Sequence, residues 1–264
     1  MQLLISLMKD LQVFFTALNS FFDHIYVITL ERAKERQQHI QQELQGLNYQ
    51  FFFGKDKHYY SVEELKASNI YNEALAKQHH RYGKPMQAGQ ICCAWSHAEV
   101  YKDMVKKGYR NALIMEDDVV IDKESAQIFS VITKELPADW EFLYLGFDER
   151  EKAPAGAFFK KLFYHVLRLF KIIRFSHKTI SHLYPRKFSA HLYKAGYHDC
   201  IHAYGITQSA AQSLAKLQQP VSFVADNLTA HAITNQLIKG YIVLPKIIYQ
   251  QNHLSTLQTS YVNP

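Results

Sequence analysis

The chain has 264 residues, 48% hydrophobic and 14% aromatic, a composition that excludes a disordered chain and allows one large α/β domain or two small ones. The sequence contains no uninterrupted apolar run of about 18 residues, so no transmembrane helix is predicted. Cys92, Cys93 and Cys200 form neither a disulfide framework nor a zinc pattern, so a reducing cytoplasm is the simplest compartment. The formal charge of +6 is concentrated in one basic segment, which favours an anionic partner.

The N-terminal quarter alternates between helical and extended patterns. Residues 1–22 carry apolar side chains at steps of three and four, which predicts an amphipathic helix. This helix either packs on the domain or contacts a membrane, and the sequence leaves both interpretations open. A strand at 25–30, a polar helix at 31–47 and a second strand at 49–53 are predicted to follow.

The central part of the chain continues this alternation. Helical segments are predicted at 61–80 and 88–107, and Gly108 stands in the expected position to end the second. A strand at 112–115, a helix at 124–136 and a strand at 141–146 come next. Alternating strands and helices predict an α/β fold, with a mostly parallel sheet flanked by helices.

Residues 158–175 form a segment with two chemically distinct faces. Between Phe158 and Phe188 there is no Asp or Glu, whereas Lys and Arg occur at positions 160, 161, 168, 171, 174, 178, 186 and 187. On a helix, the basic residues share one side and aromatic and aliphatic residues share the other. The pattern is typical of a helix at a membrane surface, but also of a surface helix whose apolar face joins the core. Nucleic acid is a third possible partner, although no binding motif accompanies the charge.

The C-terminal part resumes the α/β pattern. A strand at 200–206, a helix at 208–217, a helix at 227–237 and a strand at 241–244 are predicted. Asp226 is placed where an extended stretch meets a helix, so its carboxylate either caps that helix or serves a site.

Three consecutive acids follow the apolar run 112–115. In an extended chain Glu116 and Asp118 would point to one side and Asp117 to the other. Two carboxylates at the carboxyl end of a strand suit a hard cation such as Mg²⁺ or Mn²⁺, which in turn can hold a diphosphate. The alternative is a solvated turn with an acid that caps the next helix.

Several segments together resemble glycosyltransferase family 25 of bacterial lipooligosaccharide synthesis. They are residues 25–32 with Arg36, 88–97, 112–119, 203–207, 221–226 and 245–250, and they span about residues 24–255. The resemblance implies a GT-A type, Rossmann-like domain at 23–255, with the basic segment 152–190 as an insertion, the helix 1–22 before it and a tail at 256–264. The family usually has Asn and Asp where this chain has Thr29 and Glu31.

The resemblance also implies a reaction. It is inverting transfer of a sugar, most often galactose from UDP-galactose, to a lipooligosaccharide acceptor, assisted by Mn²⁺ or Mg²⁺. By position, the residues expected to bind the nucleotide sugar are Thr29, Leu30, Arg32, Arg36, Glu116, Asp117 and His97. The metal ligands would be Asp118 and Glu116, and His253 by analogy with other GT-A enzymes. The alternative for His253 is a solvated histidine in the tail. Asp226 is the expected catalytic base, with Asp148 as the alternative.

The expected location is the cytoplasmic face of the bacterial inner membrane, where the basic segment would contact anionic lipids. No nucleic-acid partner is expected. Two other functions stay open: another enzyme acting on nucleotide sugars, such as a nucleotidyltransferase or a hydrolase, and a non-catalytic module that binds membranes or nucleic acids.

Overall fold

The computed structural model describes residues 2–251, and the side chains of residues 11–251. The helices are α1 (Gln2–Phe21), α2 (Lys34–Glu43), α3 (Val62–Ala67), α4 (Glu73–His79), α5 (Ala88–Lys107), α6 (Lys123–Ala126), α7 (Phe129–Glu135), α8 (Ala157–Leu169), α9 (His177–Ser181), α10 (Gln208–Leu217) and α11 (Ala225–Thr234). The strands are β1 (His24–Thr29), β2 (Gln50–Phe53), β3 (Asn111–Glu116), β4 (Val119–Ile121), β5 (Phe142–Asp148), β6 (Arg186–Lys187), β7 (Leu192–Lys194), β8 (Asp199–Thr207), β9 (Gly240–Val243) and β10 (Ile248–Gln250).

Eight strands form one sheet in the order β2-β1-β3-β8-β5-β9-β7-β6. Strands β2, β1, β3, β5 and β9 run in the same direction, and β8 lies antiparallel between β3 and β5. Strand β4 pairs with β10 in a separate two-stranded sheet, which the sequence did not predict. The predicted α/β architecture, with a mostly parallel sheet flanked by helices, is confirmed.

Alternation along the central strands divides the core into two layers. In β3, Ala112 and Ile114 face one layer, whereas Leu113 and Met115 face the other. Both faces are covered, and for this reason these strands are continuous apolar runs and not alternating ones. Helices α5, α10 and α11 cover the first face, and α1, α2 and α7 cover the second.

Helix boundaries follow local signals where these are strong. Helix α5 spans the predicted range and ends at Gly108, whose φ of 74° is left-handed and which caps the helix with its own N–H. The predicted helices at 61–80 and 124–136 are each divided in two, into α3 and α4 and into α6 and α7. Ser61 and Asn72 cap the separate helices α3 and α4 through their side chains.

One side of the described part of α1 packs into the second core layer. Phe14, Phe15 and Leu18 are buried there, as is Phe22 directly after the helix, and Phe14 makes an edge-to-face contact with Phe129 of α7. No helix in the described range 2–251 combines the length and the apolar composition that crossing a bilayer requires.

The packing of α1 predicts the effect of a substitution. Leu18 is fully buried, so Leu18→Ala removes core contacts and leaves a cavity, and we expect the free energy of unfolding to fall by about 2–5 kcal/mol. Val13 on the same helix is exposed, and Val13→Ala should change it by no more than about 0.5 kcal/mol. Urea unfolding of the full chain measures both. Equal small effects would contradict docking of α1 on the domain.

Candidate functional site

A cavity of about 570 Å³ opens at the carboxyl ends of β1, β3 and β5. Strands that run in one direction bring these ends to one edge of the sheet, where α/β proteins generally bind ligands. The predicted site residues that line the cavity are Thr29, Leu30, Arg36, His97, Glu116, Asp117, Asp118, Asp148 and Asp226. The fold thus brings together residues that lie up to about 200 positions apart in the sequence.

The chain turns at Asp117 and Asp118, directly after Glu116 ends β3. Arg36 Nη1 donates to Asp117 Oδ1 at 2.8 Å and to Asp118 Oδ2 at 3.2 Å. Thr29 Oγ1 donates to Asp117 Oδ2 at 2.7 Å. The expectation that Asp117 points away from the other two acids is therefore wrong, because strand alternation stops where the turn begins.

Gln250 on β10 joins the two predicted metal ligands. Its Nε2 donates to Glu116 Oε2 at 3.2 Å and to Asp118 Oδ1 at 3.4 Å. Glu116 and Asp118 thus present carboxylate oxygens to the same region of the cavity. The third predicted ligand, His253, lies outside the described residues.

The electrostatics of the triplet favour an additional positive charge. Burial and the neighbouring charge of Glu116 raise the pKa of Asp118 to about 7, although Arg36 opposes this shift. Burial also raises the pKa of Asp117, again against Arg36. Burial would likewise raise the pKa of Glu116, but the neighbouring His97, together with His202 and Arg36, outweighs it, so this pKa lies below its ordinary value. Carboxylates that repel each other at one edge of a cavity fit a divalent cation.

Because Asp118 titrates near pH 7, cation binding should depend on pH. Below its pKa a proton on Asp118 must be displaced, so we expect the affinity for Mn²⁺ to fall by about tenfold for each pH unit below 7. Above that pH the affinity should level off. Calorimetric titration with MnCl₂ between pH 5.5 and 8.5 measures this dependence. An affinity that does not change with pH would contradict a role for Asp118 as ligand.

His97 on α5 connects the acids to the core. Its Nε2 lies 3.6 Å from Glu116 Oε1, and its Nδ1 is hydrogen-bonded to the Tyr204 hydroxyl at 2.7 Å. The Tyr204 and Tyr101 hydroxyls are 2.9 Å apart. Cys93 lies one helical turn before His97, and ligand atoms of Cys93, His97 and Glu116 all lie within 4.8 Å of one another. His97 is thus both buried and in contact with the site, and this trio offers further groups that can hold a metal.

The two candidate bases, Asp226 and Asp148, both line the cavity. Asp226 is in the first turn of α11, but Val224 occupies the cap position, so Asp226 does not cap the helix. Its Oδ2 accepts from the Cys200 N–H at 3.1 Å and its Oδ1 from the Asn227 N–H at 2.7 Å. Burial raises the pKa of Asp226. Asp148 is the last residue of β5 and lines the same cavity.

Cys200 lies between the two candidate bases. Burial, followed by the charges of Asp148 and Asp226, raises the pKa of its thiol. Its φ of 58° is unusual for a residue with a side chain, and strained backbone of this kind is concentrated at functional sites.

Sequence reasoning missed two lysines in the cavity. Lys55 and Lys57 line it, and Lys55 Nζ lies 4.6 Å from the centre of the Trp95 ring. Both follow β2, whose carboxyl end lies beside that of β1, so the strand order contains the signal. Arg32 is not among the lining residues. It pairs with Asp56, with Nη2 and Oδ1 3.3 Å apart, and its role in nucleotide binding stays a prediction.

Comparisons with known proteins identify relatives. A model of glycosyltransferase family 25, described as an LPS biosynthesis protein, matches residues 22–229. Procollagen galactosyltransferase 2 of Mus musculus is 28% identical over 131 residues, which are 47% of this chain and 21% of that protein. A glycosyltransferase 25 family member of Aedes aegypti is 28% identical over 130 residues, 47% of this chain and 21% of that protein. The chain therefore spans about a fifth of the length of these relatives.

Solved structures resemble the chain less closely. Mouse xyloside xylosyltransferase 1 in its apo form aligns with a TM-score of 0.36 and 10% identity, over 89% of this chain and 79% of that one. Mannose-1-phosphate geranyltransferase from Thermus thermophilus aligns with a TM-score of 0.35 and 7% identity, over 85% of this chain and 74% of that one.

Proposed function

This chain belongs to glycosyltransferase family 25, and we propose that it transfers a hexose from a UDP-sugar to a hydroxyl of a glycolipid, with a divalent cation and with inversion at the anomeric carbon. The observation that carries the proposal is one cavity lined both by the acids Glu116 to Asp118 and by Asp226 and Asp148. Galactose is the proposed sugar because relatives are named galactosyltransferases. A lipooligosaccharide core is the proposed acceptor because the family is described by LPS biosynthesis.

The donor would bind at the ends of β1 and β3. Thr29 and Leu30 line the cavity there, and Arg36, Lys55 and Lys57 add positive groups to the lining of the same cavity, suited to a diphosphate. Glu116 and Asp118 would hold Mn²⁺ or Mg²⁺, which when bound neutralises charge that develops on the departing UDP. Arg36 already bridges Asp117 and Asp118, so it keeps these carboxylates oriented toward the cavity.

Asp226 would act as the base. The acceptor oxygen forms a bond to the anomeric carbon as the bond from that carbon to UDP breaks, and the hydroxyl proton passes to a carboxylate of Asp226. The N–H groups of Cys200 and Asn227 hold this carboxylate in place, and burial raises its pKa, which makes it a stronger base than an exposed aspartate. Asp148 is the second candidate, because it lines the same cavity.

The proposal also includes a location: the enzyme would bind peripherally to the cytoplasmic face of a membrane. A glycolipid acceptor is confined to a bilayer, and the basic segment of this chain supplies charge of the sign that attracts anionic lipid.

Screening the purified full chain against a panel of UDP-sugars, with truncated lipooligosaccharide as acceptor and MnCl₂ present, tests the proposal. We expect transfer from one UDP-hexose and a β-linked product by NMR. Release of free sugar in the absence of acceptor, with no transfer when acceptor is added, would indicate a nucleotide-sugar hydrolase. No UDP binding under any condition would favour a non-catalytic binding module.

A further inference from the structure

Helix α8 leaves its apolar side in solvent. Eight large hydrophobic side chains on and directly after this helix are exposed, and we call them the apolar strip. They are Phe158, Phe159, Leu162, Phe163, Val166, Leu169, Phe170 and Ile172. Phe158 and Phe159 are each 72% exposed, Leu169 is 77% exposed, and α8 contains no buried residue. At 100° per residue, the members on the helix fall in a single arc.

The other side of α8 holds it on the protein. Ala157, Tyr164 and Leu167 pack against a small core cluster that consists of Ile173, Phe175, Ile180, Leu183, Tyr184, Tyr197 and Ala230. Lys161 Nζ donates to the Ser181 carbonyl of α9 at 2.7 Å. The helix is therefore anchored with its apolar strip turned outward, so the interpretation in which this strip joins the core is wrong.

The size of the strip is unusual for a surface. With about 200 Å² per fully exposed phenylalanine, its four phenylalanines alone leave about 500 Å² of apolar area in water. The largest apolar patch on a monomeric protein is typically about 300–600 Å², and the four aliphatic members add to this one. A patch of this size needs a partner.

The charges beside the strip indicate which partner. Lys160, Arg168 and Lys171 are exposed on and directly after α8, and Lys178, Arg186 and Lys187 are exposed on the elements that follow. None of these six forms an ion pair with any carboxylate of the described part of the chain. Apolar side chains bordered by unneutralised cations suit the boundary between acyl chains and anionic head groups.

We propose that the apolar strip inserts into the surface of an anionic bilayer and that the basic residues beside it contact the lipid phosphates. This membrane contact would bring the enzyme to the bilayer that holds its acceptor, and to that extent it rests on the proposed function. Tyr197 of the anchoring cluster donates its hydroxyl to Asn227 Oδ1 at 2.6 Å, and Asn227 follows the candidate base Asp226. This hydrogen bond connects the cluster that anchors α8 to the first turn of α11, which carries the candidate base.

Vesicle co-sedimentation of the full chain tests the charge contribution, with no sugar present. We expect binding to vesicles of 30% phosphatidylglycerol at least about tenfold stronger than to phosphatidylcholine alone. Lys160→Glu/Arg168→Glu/Lys171→Glu should lower this binding by at least about tenfold. Lys123→Glu/Lys134→Glu/Lys216→Glu changes the net charge equally at exposed sites elsewhere and should stay within about twofold of wild type.

Insertion of the strip has a separate measurement. Phe170→Trp should show fluorescence quenching by brominated phosphatidylglycerol beyond that of the native Trp95 and Trp140, whereas Val131→Trp on α7 should add none. Equal quenching of the two variants would overturn insertion.

Failure of docking and failure of the proposed function are distinguishable. Transfer to a short water-soluble acceptor should be the same in the wild type and in the Lys160/Arg168/Lys171 charge-reversal variant, whatever their vesicle binding. If that variant binds anionic vesicles as strongly as the wild type does, the proposal is overturned. The proposal is also overturned if the wild-type chain does not bind vesicles and instead self-associates in sedimentation velocity or binds only DNA.

Discussion

Asp118→Asn is expected to lower kcat for sugar transfer by at least about 100-fold and to raise the Mn²⁺ concentration for half-maximal rate by at least about tenfold. The asparagine keeps the size and one oxygen but removes the negative charge that attracts the cation. Of the two groups that now donate to Asp118, Arg36 can still donate to the amide oxygen, whereas the longer contact of 3.4 Å from Gln250 is lost, so the fold should be preserved. Initial rates across a MnCl₂ titration measure both quantities.

A matched variant separates this effect from a general loss of charge. Asp139 is exposed and pairs with Lys239 far from the cavity lining, so Asp139→Asn should leave both values within about twofold of wild type. Equal loss in the two variants, or undiminished Mn²⁺ dependence in Asp118→Asn, would contradict the assignment of Asp118 as ligand.

Asp226→Asn is expected to lower kcat by about 10²–10⁴-fold with UDP binding unchanged, because no carboxylate remains at this position to accept the proton of the acceptor hydroxyl. The amide oxygen can still accept from one of the two N–H groups, Cys200 or Asn227, whereas the other faces the amide nitrogen and loses its acceptor, at a cost to stability of about 1–3 kcal/mol. Single-turnover rates and UDP titrations on the same preparation measure the two effects separately.

The pH profile gives a second test of Asp226. A base works only when deprotonated, so the rate should fall as pH decreases through its pKa, which burial raises above that of an ordinary aspartate. Saturating Mn²⁺ keeps the metal ligands deprotonated, so the acidic limb of the pH–rate profile reports the protonation of the base alone. Asp226→Asn should abolish the limb. A large loss in Asp148→Asn, with Asp226→Asn active, would transfer the role to Asp148.

The sequence was most informative where one local signal decided the outcome. The strand that ends at Glu116 was readable because both its faces are buried, so it consists of apolar residues without interruption. Helix α5 was readable to its last residue because Gly108 ends it. The convergence of Thr29, Glu116 and Asp148 on one edge follows from the parallel arrangement that the alternating elements predicted.

Other features depend on tertiary structure. The direction of β8, antiparallel between β3 and β5, leaves no local trace in its residues. The turn at Asp117 interrupts the alternation that an extended strand would have, and Lys55 enters the site only through the neighbouring position of β2. An amphipathic pattern such as that of α8 has the same periodicity whether its apolar face meets a core or solvent. Only the exposure of Phe158, Phe159 and Leu169 in the folded chain distinguishes the two.

Calorimetric titration of UDP into the wild-type chain, with MnCl₂ and then with EDTA, tests the central claim most directly. The acids at the end of β3 are proposed to bind the diphosphate through a cation, so we expect saturable binding with Mn²⁺ that weakens by at least about tenfold in EDTA. UDP binding of equal strength in EDTA, or none in either condition, would contradict the proposed role of Glu116 and Asp118.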